Sequence, residues 1–134
     1  NYEELRKWFL DKMVNACRAI RDQKEERSNS AAKKAMLYIQ ENYSKDISLD
    51  DVSGLVNISP YYFSKIFKEE TGENFIEYLT KIRIEKAKEF LVKPDISIKE
   101  AGIRSGYTDP NYFSRIFKKQ TDMTPSEYKT RYGE

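Results

Sequence analysis

The sequence predicts an all-α protein: two helix-turn-helix subdomains joined by a long linker helix and preceded by an amphipathic N-terminal connector helix. The segment YFSKIFK at residues 62–68 recurs as YFSRIFK at residues 112–118, which indicates a repeated unit. Apolar residues recur at steps of three and four along most of the chain, the spacing of one helical face. No segment alternates apolar and polar residues as a strand would.

The first element, over residues 1–30, is predicted to be the amphipathic connector helix. Its apolar stripe consists of Leu5, Trp8, Phe9, Met13, Cys17 and Ile20. A polar stretch over residues 21–30 separates it from a second helix that carries Ala32, Ala35, Met36, Ile39 and Tyr43. The stripe over residues 5–20 is expected either to pair with a second copy in a homodimer or to pack on the helix at 31–43. The chain begins with Asn1 and not with Met, so we expect it to be part of a longer protein.

The repeated unit covers residues 47–72 and again residues 96–122. Ile47 matches Ile96 and Tyr62 matches Tyr112, so the second unit contains one additional residue. The predicted division is a first helix-turn-helix subdomain at 31–73, a linker helix at 74–93 and a second subdomain at 94–134.

Helix start signals are repeated in both units. Ser48 with Asp51, and Ser97 with Glu100, have the spacing of a capping box. Ser59–Pro60, Asp109–Pro110 and Thr124–Pro125 each place a good N-cap residue before a proline. Each unit is therefore predicted to be a short helix, a turn of about four residues and a second helix.

The linker helix is predicted from the apolar spacing over residues 74–92. Its apolar face consists of Phe75, Ile76, Leu79, Ile82, Ala87, Phe90 and Leu91, and Pro94 ends it. Nineteen residues at about 1.5 Å each give a length of roughly 28 Å.

The second helix of each unit has an apolar face and a basic one. The apolar residues, which are expected in the core, are Phe63, Ile66, Phe67, Phe113, Ile116 and Phe117. The first contact face consists of Tyr61, Ser64, Lys65 and Lys68, and the second contact face of Asn111, Ser114, Arg115 and Lys118. Neither contact face carries an acidic residue.

The two contact faces suit DNA chemically. Lys and Arg neutralise phosphates, Arg115 can pair with a guanine edge, and Asn111 can pair with adenine. Two helices that read one side of B-DNA must lie about 34 Å apart, which is close to the predicted linker length. We therefore predict double-stranded DNA as the partner, read in two successive major-groove segments.

The rival interpretation is a protein-interaction module that docks an acidic partner through the same basic and aromatic faces. The net charge of +2 does not discriminate, since residues 47–134 hold 14 basic and 14 acidic side chains. An enzyme is not expected, because the chain has no histidine, no glycine-rich phosphate loop and no cluster of metal ligands. No cofactor is predicted. The single cysteine fits a reducing cytoplasm, and no apolar run approaches the length of a membrane span.

Three segments resemble the DNA-binding domain of AraC/XylS-type transcription regulators: GYTDPNYFSRIFKK (106–119), RIEKAKEFL (83–91) and TDMTPSEYKTRY (121–132). The resemblance covers roughly residues 31–132 and implies a monomer that binds two adjacent major grooves. It also implies an upstream receiver domain of the kind found in YesN-type two-component response regulators, with RNA polymerase as a possible further partner.

The resemblance implies base-reading positions at Tyr61, Ser64 and Lys65 and at Asn111 and Arg115, to which the contact-face analysis adds Ser114. Pro110 falls on a position that often reads bases in the family, but it has no side-chain donor. The expected phosphate-contacting residues are Ser48, Asn57, Tyr62, Lys68, Ser97, Thr108, Tyr112 and Lys118. Asp122 stands where the family usually has Gly, and Gly102 stands where it usually has Ala. Both departures are expected to lower the stability of the second unit.

Overall fold

The computed structural model describes residues 3–7 and 30–133, and the second of these ranges contains seven helices. They are α1 (residues 30–42), α2 (Leu49–Leu55), α3 (Pro60–Thr71), α4 (Phe75–Leu91), α5 (Ile98–Ser105), α6 (Pro110–Thr121) and α7 (Pro125–Tyr132). Neither described range contains a strand, so the all-α prediction is confirmed. The predicted connector stripe lies outside the described residues except for Leu5, which is exposed.

The first hydrophobic core joins α1, α2, α3 and the beginning of α4. Its largest buried side chains come from two phenylalanines of α3, Phe63 and Phe67, whose rings lie 5.4 Å apart between centroids. Phe75 and Leu79 of α4 complete this core. The first two turns of α4 are therefore part of the first unit.

The second hydrophobic core joins the rest of α4 with α5, α6 and the edge of α7. Ile84, Ala87 and Leu91 of α4 are buried here beside Phe113 and Phe117 of α6. Leu79 and Ile84 are five positions apart and belong to different cores, so α4 is shared by both units without a break.

The repeat extends beyond the segment that the sequence comparison identified. Phe67 and Tyr78 meet edge to face at 5.3 Å, and Phe117 and Tyr128 do the same at 5.5 Å. The beginning of α4 and the whole of α7 are therefore equivalent elements that close the two units.

The additional residue of the second unit is Thr108. Backbone hydrogen bonds from Ile58 N–H to Ser53 C=O (3.2 Å) and from Tyr107 N–H to Gly102 C=O (2.8 Å) make Ile58 and Tyr107 equivalent. In the first unit, the N-cap residue Ser59 follows Ile58 immediately. In the second unit, Thr108 lies between Tyr107 and the N-cap residue Asp109.

The linker helix differs from its prediction in length and in its apolar face. It has 17 residues, Phe75–Leu91, and its axis is about 25 Å long. Ile76 was expected in the apolar face, but it is 64% exposed, while Ile84, which was not expected there, is buried. The cause is that the buried stripe shifts around α4 where the helix passes from the first core to the second.

Four of the five predicted cap residues behave as expected and one needs a correction. Ser48–Asp51 and Thr124–Glu127 form complete capping boxes, and Ser59 and Asp109 cap the proline-started helices. The Ser97 hydroxyl accepts from Glu100 N–H at 3.1 Å, but the Glu100 carboxylate accepts from Arg104 at 2.8 Å instead of returning to Ser97. The capping box at α5 is therefore one-sided, because an arginine one turn later competes for the acid.

Lys129 of α7 closes the turn between α4 and α5. Its Nζ donates to three carbonyl oxygens, those of Leu91 at 3.0 Å, Lys93 at 2.9 Å and Ile96 at 2.8 Å. One lysine therefore pairs with the carbonyl group of the last residue of α4 and with two carbonyl groups of the turn that follows.

Candidate nucleic-acid interface

The first contact face lies on the solvent side of α3. Phe63, Ile66 and Phe67 are buried, as predicted, and Phe63 and Phe67 belong to the first core, which fixes the rotation of the helix about its axis. Tyr61 on the opposite side is 85% exposed, and Lys65 and Lys68 are exposed beside it, while Ser64 is half-buried. A large aromatic side chain left this open at the first turn is available for contact with a partner.

The second contact face has the same construction on α6. Phe113 and Phe117 are buried, and Ile116 packs against the second core as expected, although it is only half-buried. Ile116 stays partly open because it borders a groove between α4 and α6. Asn111, Arg115 and Lys118 are exposed, and Ser114 is half-buried like Ser64.

Aromatic contacts hold the second contact face in position. The Arg115 guanidinium carbon lies 5.8 Å from the centre of the Tyr112 ring, and the Tyr112 ring lies 5.8 Å from that of Tyr107. A cation held over a ring has fewer rotamers to lose on binding. The arginine is therefore partly preorganised.

The charges of the contact faces are not neutralised by neighbouring acids. Within residues 30–133, the ion pairs involve other side chains and leave Lys65, Lys68, Arg115 and Lys118 unpaired. The last turn of α3 carries exposed Glu69 and Glu70, whereas the matching positions on α6 are Lys119 and Gln120. The two contact faces carry equal charge, but the surface next to the second one is more basic than the surface next to the first.

The other expected phosphate-contacting residues are accessible to solvent. Tyr62, Tyr112, Ser48, Asn57, Ser97 and Thr108 are all exposed. The hydroxyls of Ser48 and Ser97 accept from the backbone N–H of Asp51 and Glu100, so these oxygens already serve as caps. Asn57 has a φ of 59° and lies in the turn before α3, not at a helix start.

A groove with a volume of 690 Å³ runs along one side of α6. Ile76, Thr80 and Lys81 of α4 form one wall, and Tyr112 and Ile116 of α6 form the other. Residues 3–7 and 30–133 contain no group of three acids, histidines or cysteines that would bind a metal ion.

Two structurally important residues were missed by sequence reasoning. Tyr107 is 6% exposed and stacks on Phe113 at 5.6 Å, and burial raises the pKa of its phenol while the nearby Arg83 acts in the opposite direction. The sequence did offer a sign that Tyr107 is buried, because it aligns with the apolar Ile58 of the first unit. Arg83 gave no signal, because its partners lie about 40 residues earlier in the chain.

None of the helices within the described residues has the length and apolar character needed to cross a membrane.

Comparisons with known proteins agree with this architecture. A family model described as a helix-turn-helix domain matches residues 52–131. Regulatory protein PocR of Salmonella typhimurium is 36% identical over 106 residues, which is 79% of this chain and 35% of PocR. The transcriptional regulatory protein YesN of Bacillus subtilis is 44% identical over 78 residues, which is 57% of this chain and 21% of YesN. The chain thus spans about a third or less of these curated relatives.

Among solved structures, the C-terminal domain of AraT, a response regulator from Geobacillus stearothermophilus, superimposes with a TM-score of 0.75 at 39% identity, covering 78% of this chain and 87% of that domain. PocR is named a regulatory protein and YesN a transcriptional regulatory protein. Together with the two helix-turn-helix units, they show that the chain belongs to the family of AraC/XylS-type helix-turn-helix domains and is a DNA-binding domain of a transcription regulator.

Proposed function

We propose that α3 and α6 enter two successive major-groove segments of one DNA duplex and that their contact faces carry the sequence specificity. The observation that carries this proposal is the pair of matched, unneutralised contact faces, each placed on a helix whose opposite side is anchored by buried phenylalanines. Two anchored helices joined by one continuous helix suit a target that repeats at regular intervals, as the major groove of B-DNA does about every 34 Å.

The base-reading residues that we propose are Tyr61, Ser64, Lys65, Asn111, Ser114 and Arg115. Arg115 suits a guanine edge and Asn111 an adenine edge, because both side chains can form two hydrogen bonds in the major groove. Tyr61 suits a thymine methyl group or a sugar. Lys68, Lys118, Tyr62 and Tyr112, together with the backbone N–H groups near Ser48, Asn57, Ser97 and Thr108, are proposed to contact phosphates.

The full-length protein is proposed to be a two-component response regulator with a receiver domain upstream of residue 1. The support is the likeness to YesN and to the C-terminal domain of AraT, the second of which is described as a response regulator. RNA polymerase and a second copy, paired through residues 5–20, are proposed as further partners. Since the relatives are bacterial regulators whose DNA lies in the cytoplasm, we propose the same location for this chain.

The test is a selection from a random-sequence duplex library, followed by sequencing of the enriched sites. The wild-type chain, Lys65→Ala and Arg115→Ala are run in parallel, with Lys33→Ala as a control because Lys33 is an exposed cation on α1 and belongs to neither contact face. We expect two short blocks about 10 base pairs apart, one relaxed by each contact-face variant and neither by the control. A single block that Arg115→Ala leaves unchanged would contradict the two-groove proposal and favour a protein-docking module.

A further inference from the structure

Arg83 lies near the middle of α4, between the last residue that belongs to the first core and the first that belongs to the second. Its Nε donates to the carbonyl oxygen of Tyr43 at 2.7 Å, and its Nη2 donates to that of Lys45 at 2.9 Å. Tyr43 and Lys45 follow α1 directly. One end of the guanidinium group is therefore fixed to the first subdomain.

The same guanidinium group also contacts the second subdomain. Its Cζ lies 5.4 Å from the centre of the Tyr107 ring. Tyr107 is buried and stacks on Phe113, which anchors α6. A single side chain thus connects the end of α1 to the aromatic cluster that holds the second contact face.

Gly106 shows how closely the two subdomains approach at this point. It has a φ of +110°, and a Cβ atom there would lie 2.8 Å from Arg83 Nε and 2.9 Å from the Tyr43 carbonyl oxygen. The turn before α6 therefore packs directly against the hydrogen bond between Arg83 and Tyr43. On another side of α4 the units are separated by the open groove, which supplies no such contact.

We propose that Arg83 is a positioning residue that fixes the orientation of α6 relative to α3 and thereby restricts the spacing of DNA blocks that one chain accepts. The inference rests on the proposed two-groove function. Shifting one block by a single base pair moves it about 3.4 Å along the duplex axis and about 35° around it. A rigid pair of helices cannot follow both displacements, whereas a loosely joined pair can.

The test measures affinity for duplexes that carry both selected blocks at centre-to-centre spacings of 9, 10, 11 and 12 base pairs, and for duplexes that carry one block. The test variant is Arg83→Lys, which keeps the charge but loses the fork that reaches two carbonyl groups. The matched control is Arg104→Lys, since Arg104 pairs with Glu100 within α5 and does not contact the first subdomain.

For the wild-type chain and Arg104→Lys, we expect the affinity at the best spacing to exceed the affinity at the neighbouring spacings about ten-fold. A change of that size is typical of one mismatched position in a binding site. For Arg83→Lys, this preference should fall below about three-fold, with unchanged affinity for one block. An unaltered spacing preference in Arg83→Lys would overturn the inference. If the wild-type chain binds two-block and one-block duplexes equally, the two-groove function itself fails, and Arg83 has no spacing to restrict.

A second measurement applies to the free protein and does not depend on DNA. Spin labels on cysteines introduced at Glu70 and Gln120, which are exposed on α3 and α6, report the distance between the two helices in a Cys17→Ser background. We expect one narrow distance distribution in the wild-type background and a broader one with Arg83→Lys, at equal helix content. Equal widths would contradict a positioning role.

Discussion

At the residue scale, the left-handed backbone positions are the clearest difference between the two units. The residue after α3 is Gly72, with a φ of 79°, and the equivalent residue after α6 is Asp122, with a φ of 64°. Left-handed geometry costs a residue with a side chain more than it costs glycine. The sequence predicted this strain at Asp122, and the structure places it there.

Asp122→Gly is therefore expected to raise the free energy of unfolding by about 0.5–1 kcal/mol. The converse change, Gly72→Asp, serves as the matched control and should lower it by a similar amount. Urea unfolding followed by circular dichroism measures both. If the two substitutions changed the free energy of unfolding in the same direction, the left-handed residue after the helix would not be what determines the difference in stability.

The structure gives Gly102 a different role from the one that the sequence suggested. Sequence reasoning took it as a helix-weakening departure from Ala, but a Cβ atom there would lie 2.8 Å from Cδ2 of the buried Phe113 ring. The missing methyl group makes room for the ring. The glycine is therefore a packing requirement, which only the position of an aromatic residue on the next helix reveals.

We expect Gly102→Ala to destabilise the protein by about 1 kcal/mol, because overpacking outweighs the gain in helix propensity. Gly54 on α2 has no heavy atom within 4 Å of an added Cβ, so Gly54→Ala should instead stabilise by up to about 1 kcal/mol. Thermal and urea unfolding of the two variants decide the matter. Stabilisation by Gly102→Ala would mean that the ring of Phe113 moves aside freely.

At the element scale, the helices were predictable because their start signals are local. Ser48, Ser59, Asp109 and Thr124 act within three residues of their own positions, and the sequence shows such spacings directly. The one-sided cap at Ser97 was not predictable in the same way, because Glu100 has two possible partners and only geometry decides between them. The exposed position of Ile76 depends similarly on which core α4 faces at each turn.

The capping box of α2 should make stability depend on pH. The Ser48 backbone N–H, and then its hydroxyl, hold the pKa of the Asp51 carboxyl below its usual value of 3.8. A lowered pKa in the folded state contributes stability above the unfolded value that is lost as the pH falls through the folded one. We expect Asp51→Asn to be less stable than the wild type at pH 7 and the difference to shrink below pH 3.8.

Unfolding curves of both proteins between pH 7 and pH 3 measure this difference. Asp50→Asn is the control, since the Ser48 N–H donates to Asp51 and not to Asp50. If the difference in unfolding free energy between the wild type and Asp51→Asn stays constant with pH, the effect of the substitution does not come from the ionised carboxylate of the cap.

At the scale of the whole molecule, both contact faces should act together in binding. DNA affinity falls with salt with a slope of about 0.9 per neutralised phosphate. We expect Lys68→Ala and Lys118→Ala each to reduce the slope of log affinity against log salt by about 0.9, and the double variant by about 1.8. Fluorescence anisotropy at several salt concentrations provides the slopes, with Lys33→Ala as the unchanged control. A double variant no different from one single variant would mean that only one contact face meets DNA.

The sharing of α4 by the two cores has a consequence for engineering regulators of new specificity. In many repeat proteins, whole repeats can be exchanged between proteins, because each repeat contacts only its two neighbours. Here Leu79 completes one core and Ile84 begins the other within about one and a half turns of one continuous helix, so whole units can be exchanged only by joining them inside α4. Transplanting surface side chains of α3 or α6 onto the intact scaffold introduces new specificity without a junction inside this shared helix.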